Sequence, residues 1–348
     1  MKTKLFAWLG IGLALLTLSV VFGLSLGSAS LPLSQVWRIV LHQIPVLGSG
    51  IEPDWPTSAE QIVIKVRLPR IVLSILVGSA LSVAGAGFQG ILRNPLADPY
   101  TLGVASGAAV GAAFLLLFGL QYALFGQWTI PVVAFTTAIL SLFAVIRLAR
   151  VQGKFQIQTV ILAGVVMQAF LGSIVSFMAA MSRDAVNEIV FWLMGSLAMK
   201  GWSYSAVMFP YVLAGTVILI FYGRALNLFA LGERQAAHLG VRVERTKYIV
   251  LSVATLITAA AVSVSGIIGF VGLITPHLLR LIVGPDYRLL LPLSALFGGL
   301  YVLWADTLAR TALSPTEIPL GVVTAFLGAP FFAYLLHKHK RTATGSAS

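Results

Sequence analysis

The chain of 348 residues has no cysteine and little charge. The missing thiols exclude disulfides, thiolate metal sites and cysteine nucleophiles. Only 10% of the residues are Asp, Glu, Lys or Arg, whereas a soluble domain carries about 25%. Hydrophobic residues make up 58%, and the mean hydropathy is +0.96. Because this composition cannot cover a fold with polar surface, we expect most of the chain to face lipid.

The chain also lacks the motifs of an ATPase or a hydrolase. Gly153-Lys154 has Leu148 where a phosphate-binding loop needs its first glycine, and neither H-E-x-x-H nor G-x-S-x-G occurs. The central parts of its apolar segments carry almost no ionisable residue, although proton- or sodium-coupled carriers usually place such groups there. We therefore expect no catalytic site, metal or cofactor, and a driving force that another subunit supplies.

Long apolar runs are abundant. A membrane-spanning helix needs about 20 apolar residues, and the charge-free intervals locate the candidates. These intervals are 5–37, 71–92, 99–146, 155–182, 201–223, 248–279, 289–305 and 318–337. As one helix, 99–146 would be about 70 Å long, more than twice the thickness of the hydrocarbon core. We therefore predict two spans there, with a turn near 119–131.

The interval 248–279 is either one long tilted helix or two helices broken at 265–269. Lysines and arginines flank both ends of the chain, which places both termini in the cytoplasm by the positive-inside rule. An even number of spans is then required, and splitting this interval makes ten. Most of the 23 lysines and arginines then fall on the cytoplasmic side, so the net charge of +12 reflects topology and does not indicate a nucleic-acid partner.

The first apolar run has two interpretations. It is either a retained span or a signal peptide cleaved near Ser28-Ala29-Ser30. A signal peptide has an apolar core of about 7–15 residues, and the run at 5–27 is longer, which favours the retained span. No stretch has the composition of a soluble domain or a low-complexity linker. We therefore predict one transmembrane domain over 1–348, with a disordered tail at about 342–348.

Six short motifs follow one another along the chain. They are RLPR at 67–70, NPLADP at 94–99, LGERQAAHLG at 231–240, GIIGFVGLITPH at 266–277, ADTLAR at 305–310 and EIPLGV at 317–322. In this order they resemble the FecCD-type permeases of ABC importers, which take up iron–siderophore complexes, haem and cobalamin. The resemblance covers almost the whole chain and implies the all-α fold of a type II ABC importer permease, with ten helices.

The same resemblance implies the partners. Permeases of this family work in the cell membrane as a homodimer, with two ABC ATPase subunits on the cytoplasmic side and an extracytoplasmic substrate-binding protein on the other. ATP hydrolysis belongs to the ATPase subunits, so the chain itself is expected not to be an enzyme.

Arg67 and Arg70 lie three residues apart at the start of the second span, so they share a helix face. They are either interfacial arginines that extend towards water or a docking site. The resemblance implies that Arg67, Arg70 and Arg310 pair with glutamates of the binding protein, because a bidentate guanidinium–carboxylate pair orients as well as attracts. Asp306, four residues before Arg310, is predicted to orient it, unless the pair is purely structural.

The polar turn at 93–99 joins the second and third spans, and its two prolines keep it out of a helix. The resemblance implies that this turn narrows the cytoplasmic exit together with the junction of the fourth and fifth spans. The gate residues that it implies are Asn94, Leu96, Gln158 and Thr159. The alternative is a plain turn, which would need neither Asn94 nor Leu96.

The segment 223–247 is the longest positively charged loop on the inner side. Two glycines bracket a stretch that can form a short helix. It is either a solvated loop or, as the resemblance implies, the coupling helix that sits in a groove of the ATPase. The implied coupling residues are Gly232, Glu233, Arg234, Gln235, Ala236, Ala237, His238, Leu239 and Gly240.

Two further features are interpreted as structural. Gly103, Gly107 and Gly111 recur at a spacing of four residues, which allows helices to pack closely in lipid. His277 is expected to be a packed side chain.

The expected function is that of a permease subunit of a binding-protein-dependent ABC importer, which moves a metal chelate into the cytoplasm by alternating access. Iron(III)–siderophore ranks first as cargo, with cobalamin and haem as alternatives. Two other classes stay open: an ATPase-independent channel or secondary carrier, and a membrane enzyme that uses His277 and Asp306.

Overall fold

The computed structural model describes residues 2–27, 31–45, 48–151, 154–182 and 184–345, and within them the chain is almost entirely helical. The α-helices are α1 (Lys2–Ser25), α2 (Leu33–His42), α3 (Thr57–Gln61), α4 (Leu68–Leu92), α5 (Val104–Leu117), α6 (Thr129–Ala149), α7 (Ile157–Met181), α8 (Val186–Leu193), α9 (Trp202–Phe221), α10 (Gly223–Phe229), α11 (Glu233–His238), α12 (Val243–Ser265), α13 (Val271–Val283), α14 (Tyr287–Thr311) and α15 (Leu320–Gly345). A π-helical turn at Ile62–Arg67 joins α3 to α4, and a hairpin of β1 (Arg150–Val151) and β2 (Lys154–Phe155) joins α6 to α7.

The apolar helices match the predicted spans. Within the described ranges, seven helices are long and apolar enough to cross a membrane, and α5, α13 and the Leu320–Tyr334 part of α15 are shorter apolar helices. Both predicted breaks are confirmed, because 99–146 contains α5 and α6 and 248–279 is divided between α12 and α13. The all-α fold predicted from hydropathy is therefore confirmed.

The charge-free interval 5–37 contains more than the first span. Helix α1 ends at Ser25, close to the end of the apolar run at 5–27, and α2 is a separate helix that starts after Pro32. A proline disfavours helical backbone in the residue before it, which separates the two helices. The region between the intervals 155–182 and 201–223 contains α8, which is too short to cross a membrane.

The ends of two predicted segments lie outside the described residues. These are the possible cleavage site at 28–30 and residues 346–348 of the tail. Helix α15 continues to Gly345 and so includes 342–345 of the predicted tail. The disorder of 346–348 stays a prediction.

Helix α4 lies at the centre of the bundle and packs against α9, α12, α13 and α14. Every residue from Val77 to Leu92 is buried, which explains why its sequence is apolar on all sides. The backbones approach most closely at glycines. A Cβ atom added to Gly78 would overlap the carbonyl oxygen of Gly298 in α14, and one added to Gly85 would overlap that of Gly272 in α13.

The glycine stripe of α5 is a packing feature, as predicted. Gly107 and Gly111 face Thr137 and Ser141 of α6 so closely that any side chain would clash. Helices α5 and α6 can approach in this way only because these positions lack a Cβ atom.

The backbone between α12 and α13 is unwound and partly buried, with Gly266 and Ile268 fully buried. Gly266 and Phe270 both have positive φ, at 71° and 68°. The hydroxyl of Tyr100 donates to the carbonyl oxygen of Ile268 at 2.9 Å and accepts from its N–H at 3.2 Å. Irregular backbone inside a membrane protein is tolerated where protein groups satisfy it in this way.

Candidate functional site

Polar side chains collect at the two ends of the bundle. We call the end that carries Arg70 the outer end and the end that carries α11 the inner end. At the outer end, the guanidinium of Arg70 is held by two carboxylates. Its Nε and Nη2 donate to Asp306 at 2.9–3.1 Å, and its Nη1 and Nη2 donate to Glu317 at 2.9 and 3.0 Å. The Arg70 and Asp306 side chains are 8% and 2% exposed, whereas that of Glu317 is 37% exposed.

Arg67 and Arg310 bind the end of α1. Arg67 Nη1 donates to the carbonyl oxygen of Leu24 at 2.7 Å, and Arg310 Nη2 donates to that of Gly23 at 2.5 Å. The last carbonyl groups of a helix have no partner within the helix, and cations are favourable there. These two arginines therefore complete α1 at the point where it ends.

The outer end differs from the sequence prediction in two respects. All three arginines proposed for docking are buried, at 4–7% exposure. Asp306 pairs with Arg70 rather than with Arg310, because the guanidinium of Arg310 is drawn to the end of α1. The cluster of Arg67, Arg70, Arg310, Asp306 and Glu317 nevertheless contains three cations and two anions, so it keeps a net positive charge.

The inner end contains an open cleft of about 690 Å³. It brings together residues from the turn after α4, the start of α7, the coupling segment and the start of α12. The lining residues are Leu92, Arg93, Asn94, Gln156, Ile157, Gln158, Ile161, Glu233, Glu244 and Lys247. Asn94 and Gln158, which belong to the predicted gate, therefore share one cleft with Glu233 of the predicted coupling segment.

The other two predicted gate residues, Leu96 and Thr159, are not among the residues that line this cleft. Leu96 is 49% exposed, and its N–H donates to the side-chain oxygen of Asn94 at 2.9 Å. This bond closes a local turn and orients Asn94. Thr159 is half-buried next to Gln158.

The predicted short helix of the coupling segment is confirmed as α11, over Glu233–His238. The glycines on either side have positive φ, 108° at Gly232 and 87° at Gly240. Only Ala236 of the helix is fully buried. The exposed residues are Arg234, Gln235, Ala237, His238, Leu239 and Gly240. The helix thus presents most of its surface at the inner end.

One buried cation attaches α11 to the next span. Lys247 Nζ lies 2.6 Å from Oε2 of Glu233 and 3.3 Å from Oε1 of Glu244. The Lys247 side chain is only 3% exposed. A lysine is almost never buried so completely unless it is paired.

The inner turn is shaped by Asp98. Its carboxylate accepts from the N–H of Tyr100 at 2.8 Å, and its own N–H donates to Oγ1 of Thr101 at 3.2 Å. This reciprocal capping starts the short helical turn before α5. Burial raises the pKa of the Asp98 carboxyl to about 6, and the hydrogen bond from Tyr100 opposes this.

The raised pKa predicts a pH effect on stability. Between about pH 6 and pH 4 the folded protein takes up a proton at Asp98 that the unfolded chain, with a pKa of about 3.9, does not bind, so stability rises as the pH falls. Asp98→Asn keeps the acceptor oxygen but cannot titrate. Comparing the thermal midpoint in detergent at about pH 5 and pH 7.5, we expect the wild type to gain more at the lower pH than Asp98→Asn. Equal changes in both proteins would contradict the assignment.

Sequence patterns missed two important residues. Glu317 and Lys247 received no role, although each is charged and stands beside a long apolar segment. An ionisable residue in such a place requires a partner, and that rule is the signal that would have found them. It does not identify the partner, because Glu317 and Arg70 are far apart in the sequence.

Comparisons with known proteins identify the family to which the chain is similar. A model of the FecCD transport family matches residues 15–338. An uncharacterised ABC transporter permease protein, YvrB of Bacillus subtilis, is 46% identical over 95% of this chain and 93% of its own length. The cobalamin import system permease protein BtuC of Halobacterium salinarum is 41% identical, with 92% and 89% covered.

Two further comparisons cover almost the whole chain. The hemin transport system permease protein HmuU of Yersinia pestis is 36% identical over 97% of both chains. A solved structure described as an inward-facing metal-chelate type ABC transporter superposes with a TM-score of 0.81 at 32% identity, covering 97% of this chain and all of the other.

Proposed function

The chain belongs to the FecCD transport family, and from this membership we propose that it forms one half of the membrane pore of a metal-chelate importer. Two copies would bind two ABC ATPase subunits at the inner end, in the cytoplasm, and a substrate-binding protein at the outer end. Both termini would then be cytoplasmic. The observation that carries this proposal is the inner cleft, where the predicted gate and the predicted coupling segment lie side by side.

The coupling role is supported by the exposure and the flanks of α11. A short helix with exposed side chains, held between two glycines of positive φ, suits insertion into a groove of a partner. Movement of α11 would change the cleft directly, because Glu233 lines it opposite Asn94 and Gln158. Leu96 and Thr159 would then complete the gate around the dimer axis.

The docking role is supported by the net charge of the outer cluster. Arg70 is neutralised by two carboxylates, whereas Arg310 donates to the neutral oxygens of Gly23 and Thr307. Its Nε is buried without a hydrogen-bond partner among the described residues. Arg310, together with Arg67, would therefore attract a carboxylate of the binding protein, and Arg70 would hold the surface in shape.

The proposed cargo is a bulky metal chelate. The similar permeases described above are named for cobalamin and hemin, and iron–siderophore complexes are the first expectation from the sequence motifs. Cobalamin, haem and a ferric siderophore are therefore the three substrates to compare.

Uptake into liposomes tests this function. We expect accumulation of one of the three chelates only when the permease is reconstituted with its ATPase subunits, its loaded binding protein and ATP. Vanadate should stop it. Accumulation without the ATPase subunits would instead support the channel or secondary carrier. The enzyme alternative is disfavoured because Asp306 is occupied by Arg70 and does not provide a free carboxylate.

The same assay tests docking. Arg310→Gln should raise the concentration of binding protein needed for half-maximal uptake, and Arg310→Lys, which keeps the charge, should raise it less. If neither variant changes this concentration, the docking role of Arg310 is wrong while the importer function stands.

A further inference from the structure

The attachment of α11 to α12 depends on few groups. At its start, α11 follows Gly232, and at its end it leads through Gly240 into α12. Both glycines have positive φ and lack a side chain that packs. Between them, Ala236 is buried, and its carbonyl oxygen accepts from the N–H of Val241 at 3.0 Å. The ion pair between Lys247 and Glu233 also crosses this junction.

The geometry of this pair is that of a fixed connection. Lys247 Nζ donates to Glu233 at 2.6 Å. Glu233 is the first residue of α11, and Lys247 lies in the second turn of α12. The Lys247 side chain is 3% exposed and that of Glu233 is 30% exposed, so water screens this attraction less than that of a pair at the surface. Glu244, from the first turn of α12, adds a second contact at 3.3 Å.

Helix α12 carries this connection into the bundle. It packs against α4 and ends at Ser265, directly before the unwound backbone at 266–270. There Ile268 is bonded on both its N–H and its carbonyl to Tyr100 of the inner turn. One continuous set of packed groups therefore runs from α11 through α12 to the turn that carries Asn94.

We propose that Lys247 is a positioning residue, which holds the coupling helix α11 rigidly on α12 so that displacement of α11 by the ATPase moves the span and the inner turn. This inference rests on the proposed function. It assigns to one buried ion pair the mechanical connection between ATP hydrolysis and opening of the inner cleft.

The test is the number of chelate molecules transported per ATP hydrolysed, measured in proteoliposomes that contain the complete complex. Lys247→Met preserves the length of the side chain and removes the charge. We expect a several-fold fall in this ratio, with ATP hydrolysis largely retained. Lys247→Arg, which keeps the charge, should restore most of the ratio, and Glu233→Gln should lower it as Lys247→Met does.

Arg245→Met is the matched control, because it removes one exposed cation from the adjacent first turn of α12. The proposal is overturned if Lys247→Met keeps the wild-type ratio, or if Arg245→Met lowers the ratio equally. Co-purification with the ATPase subunits must also be unchanged, since loss of binding would indicate a docking contact. Should Lys247→Met fail to fold, Glu233→Gln decides alone, and an unchanged ratio there rejects the pair as the connection.

This failure is distinct from failure of the proposed function. If wild-type protein takes up no chelate with ATP, the importer function itself is wrong. If it does so and the Lys247 variants keep the ratio, only the inference about Lys247 is wrong.

Discussion

Arg70→Met is expected to prevent folded protein from accumulating, with a loss of stability of about 3–5 kcal/mol, the effect of removing one partner from a buried ion pair. Methionine fills most of the volume of the arginine stem but leaves Asp306, whose side chain is 2% exposed, without its cation. Since a protein of this kind has a total stability of about 5–15 kcal/mol, such a loss removes much of the margin. The measurement is the yield of monodisperse protein in detergent and its thermal midpoint.

Two controls make this result specific. Arg38 pairs with Asp54 at the surface, where the side chains are 44% and 62% exposed, so Arg38→Met should cost less than about 1 kcal/mol. Combining Arg70→Met with Asp306→Leu and Glu317→Gln removes all three charges and should recover most of the lost stability, because a buried ion pair can often be replaced by apolar groups. A wild-type midpoint for Arg70→Met alone would show that the cluster is not structural.

The contacts of the outer arginines decide which variant can test docking without disturbing folding. Charge reversal at Arg70 would place a third carboxylate beside Asp306 and Glu317, so loss of binding-protein affinity in that variant would report misfolding. Arg310 is the better probe, because Nη2 of its guanidinium donates to the neutral oxygens of Gly23 and Thr307, and a change there leaves no hydrogen-bonded carboxylate without its cation.

Gly78→Ala is expected to destabilise the bundle by about 1–3 kcal/mol or more, the effect of adding a methyl group to a closely packed core. The new Cβ would overlap the carbonyl group of Gly298 and approach Val302, both on α14. The neighbouring atoms belong to the backbone of another helix, so no side-chain rotation can remove the clash. Helices α4 and α14 would have to move apart, which would also pull Arg70 away from Asp306.

Gly10→Ala is the matched control for this prediction. Gly10 lies within α1, and a Cβ atom there would meet nothing within 4 Å. Because alanine favours a helix over glycine by roughly 0.5–1 kcal/mol, this variant should be as stable as the wild type or slightly more so. The measurement is the thermal midpoint of each variant in detergent, compared with that of the wild type. Equal midpoints for Gly78→Ala and Gly10→Ala would show that α4 and α14 are not in close contact at this glycine.

Much of the fold was predictable because it depends on local properties of the chain. The length and hydropathy of each run identify the spans, and glycine and proline mark the breaks between α5 and α6 and between α12 and α13. The end of α1 at Ser25 lies within two residues of the end of the apolar run at 5–27. The binding of its last carbonyl groups by Arg67 and Arg310 was not predictable, because both arginines come from distant parts of the chain.

The candidate site was predictable in part. The motif around 231–240 correctly indicated a short helix between two glycines, since breakers and caps act within a few residues. The helical spacing of Asp306 and Arg310 predicted that these two residues pair, whereas Asp306 pairs with Arg70. A residue four positions away in the same helix competes with any group that the fold brings near. Lys247 was missed for the same reason: Glu233 lies outside the helix in which Lys247 stands.

By itself, the sequence determined that most of the chain faces lipid, how many spans it has, where they break and where α11 lies. These features follow from hydropathy, helix length and backbone preferences, which act over one or two helical turns. Only the tertiary structure decided which carboxylates neutralise Arg70, why the outer arginines are buried, and that Asn94, Gln158, Glu233 and Lys247 share one cleft. These outcomes depend on contacts between helices that are distant in the chain, and no local property of the sequence specifies which distant charge will meet a buried one.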